Sequence, residues 1–75
     1  MQSNKFLDVK GLACPMPIVY TKKAMDKLEL GQILEVHTTD RGALADMSAW
    51  AKAAGHIILN QTEAADVLTF FIRKV

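Results

Sequence analysis

A chain of 75 residues has room for one domain, expected to span residues 1–75. Its 51% hydrophobic and 23% charged residues suit a small globule, and its apolar runs are far too short to cross a bilayer. A formal net charge of +1 speaks against nonspecific nucleic-acid binding as the main task, because that needs a concentrated basic face.

In chain order, Lys5-Phe6-Leu7-Asp8-Val9 reads as a short strand, and Lys10-Gly11-Leu12-Ala13 as the connection that follows it. Gly11 allows a turn geometry that other residues resist. Cys14-Pro15-Met16-Pro17 opens a helix running from Ile18 through Leu28, since proline is tolerated in a first turn whose N–H groups have no helical partner. Ile18, Thr21, Ala24, Met25 and Leu28 give it one apolar side, with Lys22, Lys23 and Lys27 over much of the rest, and Gly31 ends the element. Gln32 to Thr39 is the clearest strand, with Leu34, Val36 and Thr38 on one face and Ile33, Glu35 and His37 on the other.

Asp40-Arg41-Gly42 is a turn in which Asp40 is placed to cap the next element. Ala43 to Ala54 is an alanine-rich helix with a stripe of Leu44, Met47 and Ala51, flanked by Trp50 and Ala54. Gly55 stands where a left-handed cap is expected. A third strand over His56 to Gln61, a turn at Glu63-Ala64-Ala65-Asp66 and a fourth strand over Val67 to Lys74 complete the chain. The order β-α-β-α-β-β predicts an α+β two-layer sandwich, a four-stranded mixed sheet with two helices on one face. Leu68-Thr69-Phe70-Phe71-Ile72 is apolar at both phases, so the inward set on the last strand stays open. The face away from the helices is expected to carry Glu35, His37, Thr69 and Arg73 among apolar residues, or their alternates, and a partly exposed apolar face would suit a partner.

A domain this small has no room for a deep cleft, and its chemistry should be shallow and finished by a partner. The chain has one cysteine, Cys14, so it has neither an intrachain disulfide nor a Cys-x-x-Cys pair, and no metal site is expected. A lone thiol suits a reducing compartment, and Met1 to Val9 has no run of signal-peptide character, so the expected location is cytoplasmic. Cys14 lies at a loop-to-helix junction stiffened by two prolines, where first-turn N–H groups and the positive helix end are expected to stabilise a thiolate.

Leu7-Asp8-x-x-Gly11-Leu12-x-Cys14-Pro15-x-Pro17 carries a family resemblance. So do Lys22-Lys23, Gly31, Asp40, Asp46, Trp50, Gly55-His56 and Ile72-Arg73-Lys74. Over nearly the whole chain this resembles the TusA/SirA-like family of sulfur carriers, whose known fold is the same β-α-β-α-β-β sandwich. The resemblance implies that Cys14 accepts sulfane sulfur as a covalent persulfide from a cysteine desulfurase or rhodanese-type donor. Cys14 would then relay it to a downstream sulfur-accepting protein, in tRNA 2-thiolation or in sulfur or cofactor metabolism. No other cofactor and no direct nucleic-acid binding are expected, and the chain is expected to be a monomer. Three positions depart from the family's habit. Met16 stands between the prolines where tRNA-thiolating members often have an acid, Asp40-Arg41 replaces Asp-Pro, and Asp46-Met47-Ser48 replaces Asp-Ile-Pro. These bear on partner choice and leave the carrier role intact.

Around the thiol, Asp8 and Gly11 serve as turn residues or shape the cysteine loop, and Pro15, Met16 and Pro17 form its far side. Lys22 and Lys23 belong to a solvated face or dock an acidic partner. Asp40 caps a helix or, with Arg41, flanks the thiol if the two strand-to-helix loops lie side by side. His37 and His56 lack metal-ligand spacing, His56 is expected to be structural, and Trp50 is expected in the core. Two rivals to the carrier remain. One is a small cysteine-dependent rhodanese-like sulfurtransferase, which lacks a histidine base near Cys14. The other is a regulatory or RNA-binding module, which lacks an aromatic stacking row.

Overall fold

The alternation of buried and half-exposed residues along two central strands organises the molecule. In the computed structural model, which describes residues 2–75, the order is β1 (Lys5–Asp8), α1 (Met16–Asp26), β2 (Ile33–Thr38), α2 (Ala43–Ala54), β3 (Ile57–Ala64) and β4 (Val67–Arg73). The sheet order is β1-β2-β4-β3, with β1 parallel to β2 and the other pairs antiparallel. Parallel pairing of β1 with β2 puts the C-terminal ends of both strands at one end of the sheet. The loops that lead into the two helices therefore start as neighbours.

Leu34, Val36 and Thr38 on β2 face Ile72, Phe70 and Leu68 on β4 in register, and all six are buried. This settles the phase of the last strand: Leu68, Phe70 and Ile72 point to the helices, and Thr69 and Phe71 to the open face. The helices complete the core with Ala24, Met25 and Leu28 from one side and Ala43 and Met47 from the other, while Trp50 packs half-buried against it. Buried Thr21 would carry an unpaired hydroxyl, but its Oγ1 donates to the Pro17 carbonyl at 2.7 Å.

On the open face Phe6 is 53% exposed beside Glu35, and Glu35 lies opposite Phe71, His37 opposite Thr69 and Ile33 opposite Arg73. The expected mixed surface is there. Phe6 meets the His37 ring edge-on, at a centroid distance of 4.7 Å.

Several boundaries differ from the sequence reading. The first helix starts at Met16, so Met16 and Pro17 are helical, and its regular part ends at Asp26. Beyond it Lys27 and Leu28 donate to Ala24 and Met25 carbonyls three residues back, a tightened last turn. The second helix keeps its expected bounds, and Ala54, read as flanking the stripe, is exposed. Its N-cap is Gly42 and makes no side-chain cap bond. Asp40 instead closes the preceding turn, its carboxylate accepting from the Gly42 N–H at 3.3 Å and its carbonyl from the Ala43 N–H at 3.1 Å. Gly55 adopts the expected left-handed cap, φ 82°. The third strand continues to Ala64, and the hairpin turns on Ala65 and Asp66 alone.

Candidate functional site

The loop before Cys14 is built by local hydrogen bonds that its sequence supplies. Val9 extends the β1 ladder by donating to the His37 carbonyl at 2.9 Å. The chain then reverses over Val9–Leu12, where the Leu12 N–H reaches the Val9 carbonyl at 3.2 Å. The third residue of that turn is Gly11, with φ 84°, a conformation that costs an L side chain. Asp8 Oδ1 accepts from the Lys10 N–H at 3.0 Å, and the Gly11 N–H donates to Thr39 Oγ1 at 2.9 Å. Asp8 therefore pins the turn, and Thr39 ties it to the end of β2. The two loops do lie side by side.

Leu12, Ala13, Cys14, Pro15 and Met16 are all exposed, whereas Pro17 is buried and anchors the first turn of α1. Pro15 is the N-cap, and the Cys14–Pro15 peptide is cis. Among the described residues no enclosed pocket flanks the thiol. Leu12, Met16 and Tyr20 are exposed apolar side chains in the same stretch of chain.

The expected support of a thiolate by the helix end gives way to a different partner. Pro15 and Pro17 carry no N–H, and the Met16 N–H is spent on the Ala13 carbonyl at 2.9 Å. Cys14 Sγ instead donates to Asp46 Oδ2 at 3.3 Å, from the first turn of α2. That hydrogen bond favours the neutral thiol and raises Cys14 above the ordinary thiol value. Partial desolvation and the charges of Asp46 and Asp40 act in the same direction. Asp46 is thus the contact that sequence reasoning did not single out. Its only sequence signal was a place among the family-like positions.

The remaining candidates divide by position. The negative charge of Asp40 adds to the upward push on the thiol. Arg41 turns away and pairs with Glu63 at the end of β3, which fastens the β2–α2 loop to the hairpin. Its guanidinium is therefore engaged within the chain. Lys22 is exposed on α1, and Lys23 lies 5.9 Å over the Tyr20 ring. His56 accepts at Nδ1 from the Val75 N–H at 3.4 Å and stacks obliquely on Trp50, as a structural residue would. No helix of the described residues is long and apolar enough to cross a membrane.

Comparison with known proteins gives this geometry its context. The family model described as Sulfurtransferase TusA matches residues 5–74. The candidate sulfur carrier protein YrkI of Bacillus subtilis (strain 168) is 64% identical over 74 residues, 99% of each chain. The candidate sulfur carrier protein YrkF of the same organism is 51% identical over 99% of this chain, which spans 40% of its length. Sulfur carrier protein TusA of Allochromatium vinosum is 38% identical over 91% of this chain and 90% of its own. The crystal structure of a SirA-like protein from Desulfitobacterium hafniense shares the fold at a TM-score of 0.82 and 22% identity, covering 92% of this chain and 95% of that one. With a family match over residues 5–74, a span that takes in both helices and all four strands, the chain belongs to the TusA family and is a sulfur carrier protein.

Proposed function

We propose that Cys14 is the residue that carries the sulfur, as a covalent persulfide. The observation that carries this reading is that the chain's one thiol is exposed at a helix start. A donor protein and an acceptor protein can then reach the same sulfur in turn. In the loading step the Cys14 sulfur attacks the outer sulfur of a donor persulfide. A bond from Sγ to that sulfur forms, the donor's S–S bond breaks, and the donor leaves as a thiol that takes up the proton Cys14 gave away. No net oxidation occurs. The donor is a cysteine desulfurase or a rhodanese-type protein. The acceptor is a protein of tRNA 2-thiolation or of sulfur or cofactor metabolism.

Asp8, Gly11, Pro15 and Pro17 hold the loop in this reading, and Met16 offers a soft apolar contact beside the thiol. Lys22, Asp40 and Arg41 belong to the surface that partners meet. The whole chain acts as one domain and as a monomer, and its lone thiol supports a cytoplasmic location.

Intact-mass spectrometry tests the reading. After incubation with a cysteine desulfurase and cysteine, the protein should gain one or more sulfur atoms that a reductant removes, and Cys14→Ser should gain none. No added sulfur from that donor or from a thiosulfate-charged rhodanese overturns it. Rapid turnover of thiosulfate and cyanide by the chain alone would make it an enzyme instead.

A further inference from the structure

The bond between Cys14 and Asp46 exists only while Sγ carries a hydrogen. In the empty protein Sγ is a thiol and donates to Asp46 Oδ2 at 3.3 Å. In a persulfide Sγ is bonded to a second sulfur and has no hydrogen left to give. The ionisable S–H has moved one atom outward, and a persulfide is a stronger acid than a thiol. Loading therefore turns an attractive contact into a lone pair and a nearby anion facing a carboxylate.

We infer that Asp46 is a load-dependent latch, which holds the empty thiol of Cys14 against α2 and turns the loaded persulfide outward to the acceptor. The inference rests on the reading of Cys14 as the persulfide carrier. Asp46 touches the reacting atom itself. It receives the Cys14 proton as Sγ attacks the donor's outer sulfur, and that proton ends on the donor's departing thiolate, so nothing is oxidised or reduced. The charged groups that act on the site are Asp46 from α2 and Asp40 from the β2–α2 loop, both acidic. The cations on the adjoining loops are turned to other partners, Lys10 to Asp8 and Arg41 to Glu63. No cation is among the groups whose charge acts on the thiol, so an anion on the loaded sulfur faces two carboxylates, and outward rotation relieves it. Cys14 is exposed to solvent, so the second sulfur has open space to turn into.

The test compares alkylation by iodoacetamide across pH in empty and in sulfur-loaded protein, for the natural sequence, Asp46→Asn and Asp40→Asn. Asparagine keeps the shape of Asp46, can still accept from a thiol and can donate to a thiolate. In the empty state, Asp46→Asn should lower the midpoint of the alkylation profile and raise the rate at pH 7 about three- to tenfold. Asp40→Asn, which removes only a charge, should have a smaller effect. In the loaded state the outer sulfur of the natural protein and of Asp46→Asn should react at rates within about twofold of each other. An unchanged empty profile in Asp46→Asn overturns the latch, as does an equal shift in Asp40→Asn or the same shift in the loaded protein. A natural chain that never takes up sulfur overturns the carrier reading and the release step with it. Failure of the latch alone would leave loading intact.

Discussion

Cys14 and Asp46 are separated by 32 positions and meet at 3.3 Å, and that contact reverses what the helix start alone would do to the thiol. A cysteine before a helix ordinarily gains acidity from free N–H groups, but here two prolines remove donors and α2 supplies a carboxylate. The thiol and its loop were legible, because glycine, proline and cysteine mark turns and helix starts by their own chemistry. The carboxylate was not, because a contact across 32 positions depends on how the helices pack. A second carboxylate offers a pH test of its own. Glu35 accepts from His37 Nε2 at 2.7 Å and from Ser3 Oγ at 3.0 Å, and the His37 bond first, then the Ser3 bond, hold its carboxyl below the usual range. A depressed folded value stabilises the fold above the unfolded value, and that contribution is lost as pH falls through the folded one. Urea unfolding should therefore show Glu35→Gln less stable than the natural protein near neutral pH, with the gap closing in acid. A gap that persists below the carboxylate range would mean that packing on the open face, and not ionisation, is what Glu35 contributes.

The β3–β4 hairpin turns on two residues in the left-handed region, Ala65 at φ 52° and Asp66 at φ 64°. Two positive φ angles in a two-residue loop are the type I′ geometry, which matches strand twist and favours Asn-Gly. Alanine there costs roughly 1–2 kcal/mol. The double change Ala65→Asn with Asp66→Gly should raise stability by about 1 kcal/mol, or about 4–8 °C in Tm by calorimetry. A lower Tm would mean that this turn is held by contacts of the natural side chains. The strand before it was the least legible element, since its polar end, Thr62-Glu63-Ala64, reads as the approach to the turn and the sequence reading ends the strand at Gln61. As an edge strand it is exposed on nearly every residue, and a register shift between Ile58 and Asn60 breaks its alternation. The second strand and second helix were read almost to the residue because one face of each is buried, and burial is what imposes a period. The first helix was misread by two residues at each end. Proline at a first turn and in a loop looks the same in sequence, and Leu28 is buried although the regular helix has ended.

At the scale of the whole molecule, one apolar layer between a sheet and two helices supplies the stability, and its largest fully buried side chain is Phe70. Phe70→Ala should cost about 3–5 kcal/mol, most of what a domain of this size has, and urea titration should find it largely unfolded. A cooperative transition near the natural midpoint would mean that the layer closes over the gap. The sandwich was legible as a whole because element order and alternation leave few ways to cover a four-stranded sheet. The inward phase of β4 became clear only from its register with β2. The exposed position of Cys14 also bears on traffic in a cell. A sulfur atom carried in the open is available to any small thiol that collides with it. The fraction delivered is then set by a race between acceptor encounters and such losses. More acceptor, or fewer competing thiols, raises the yield without any change in the carrier itself.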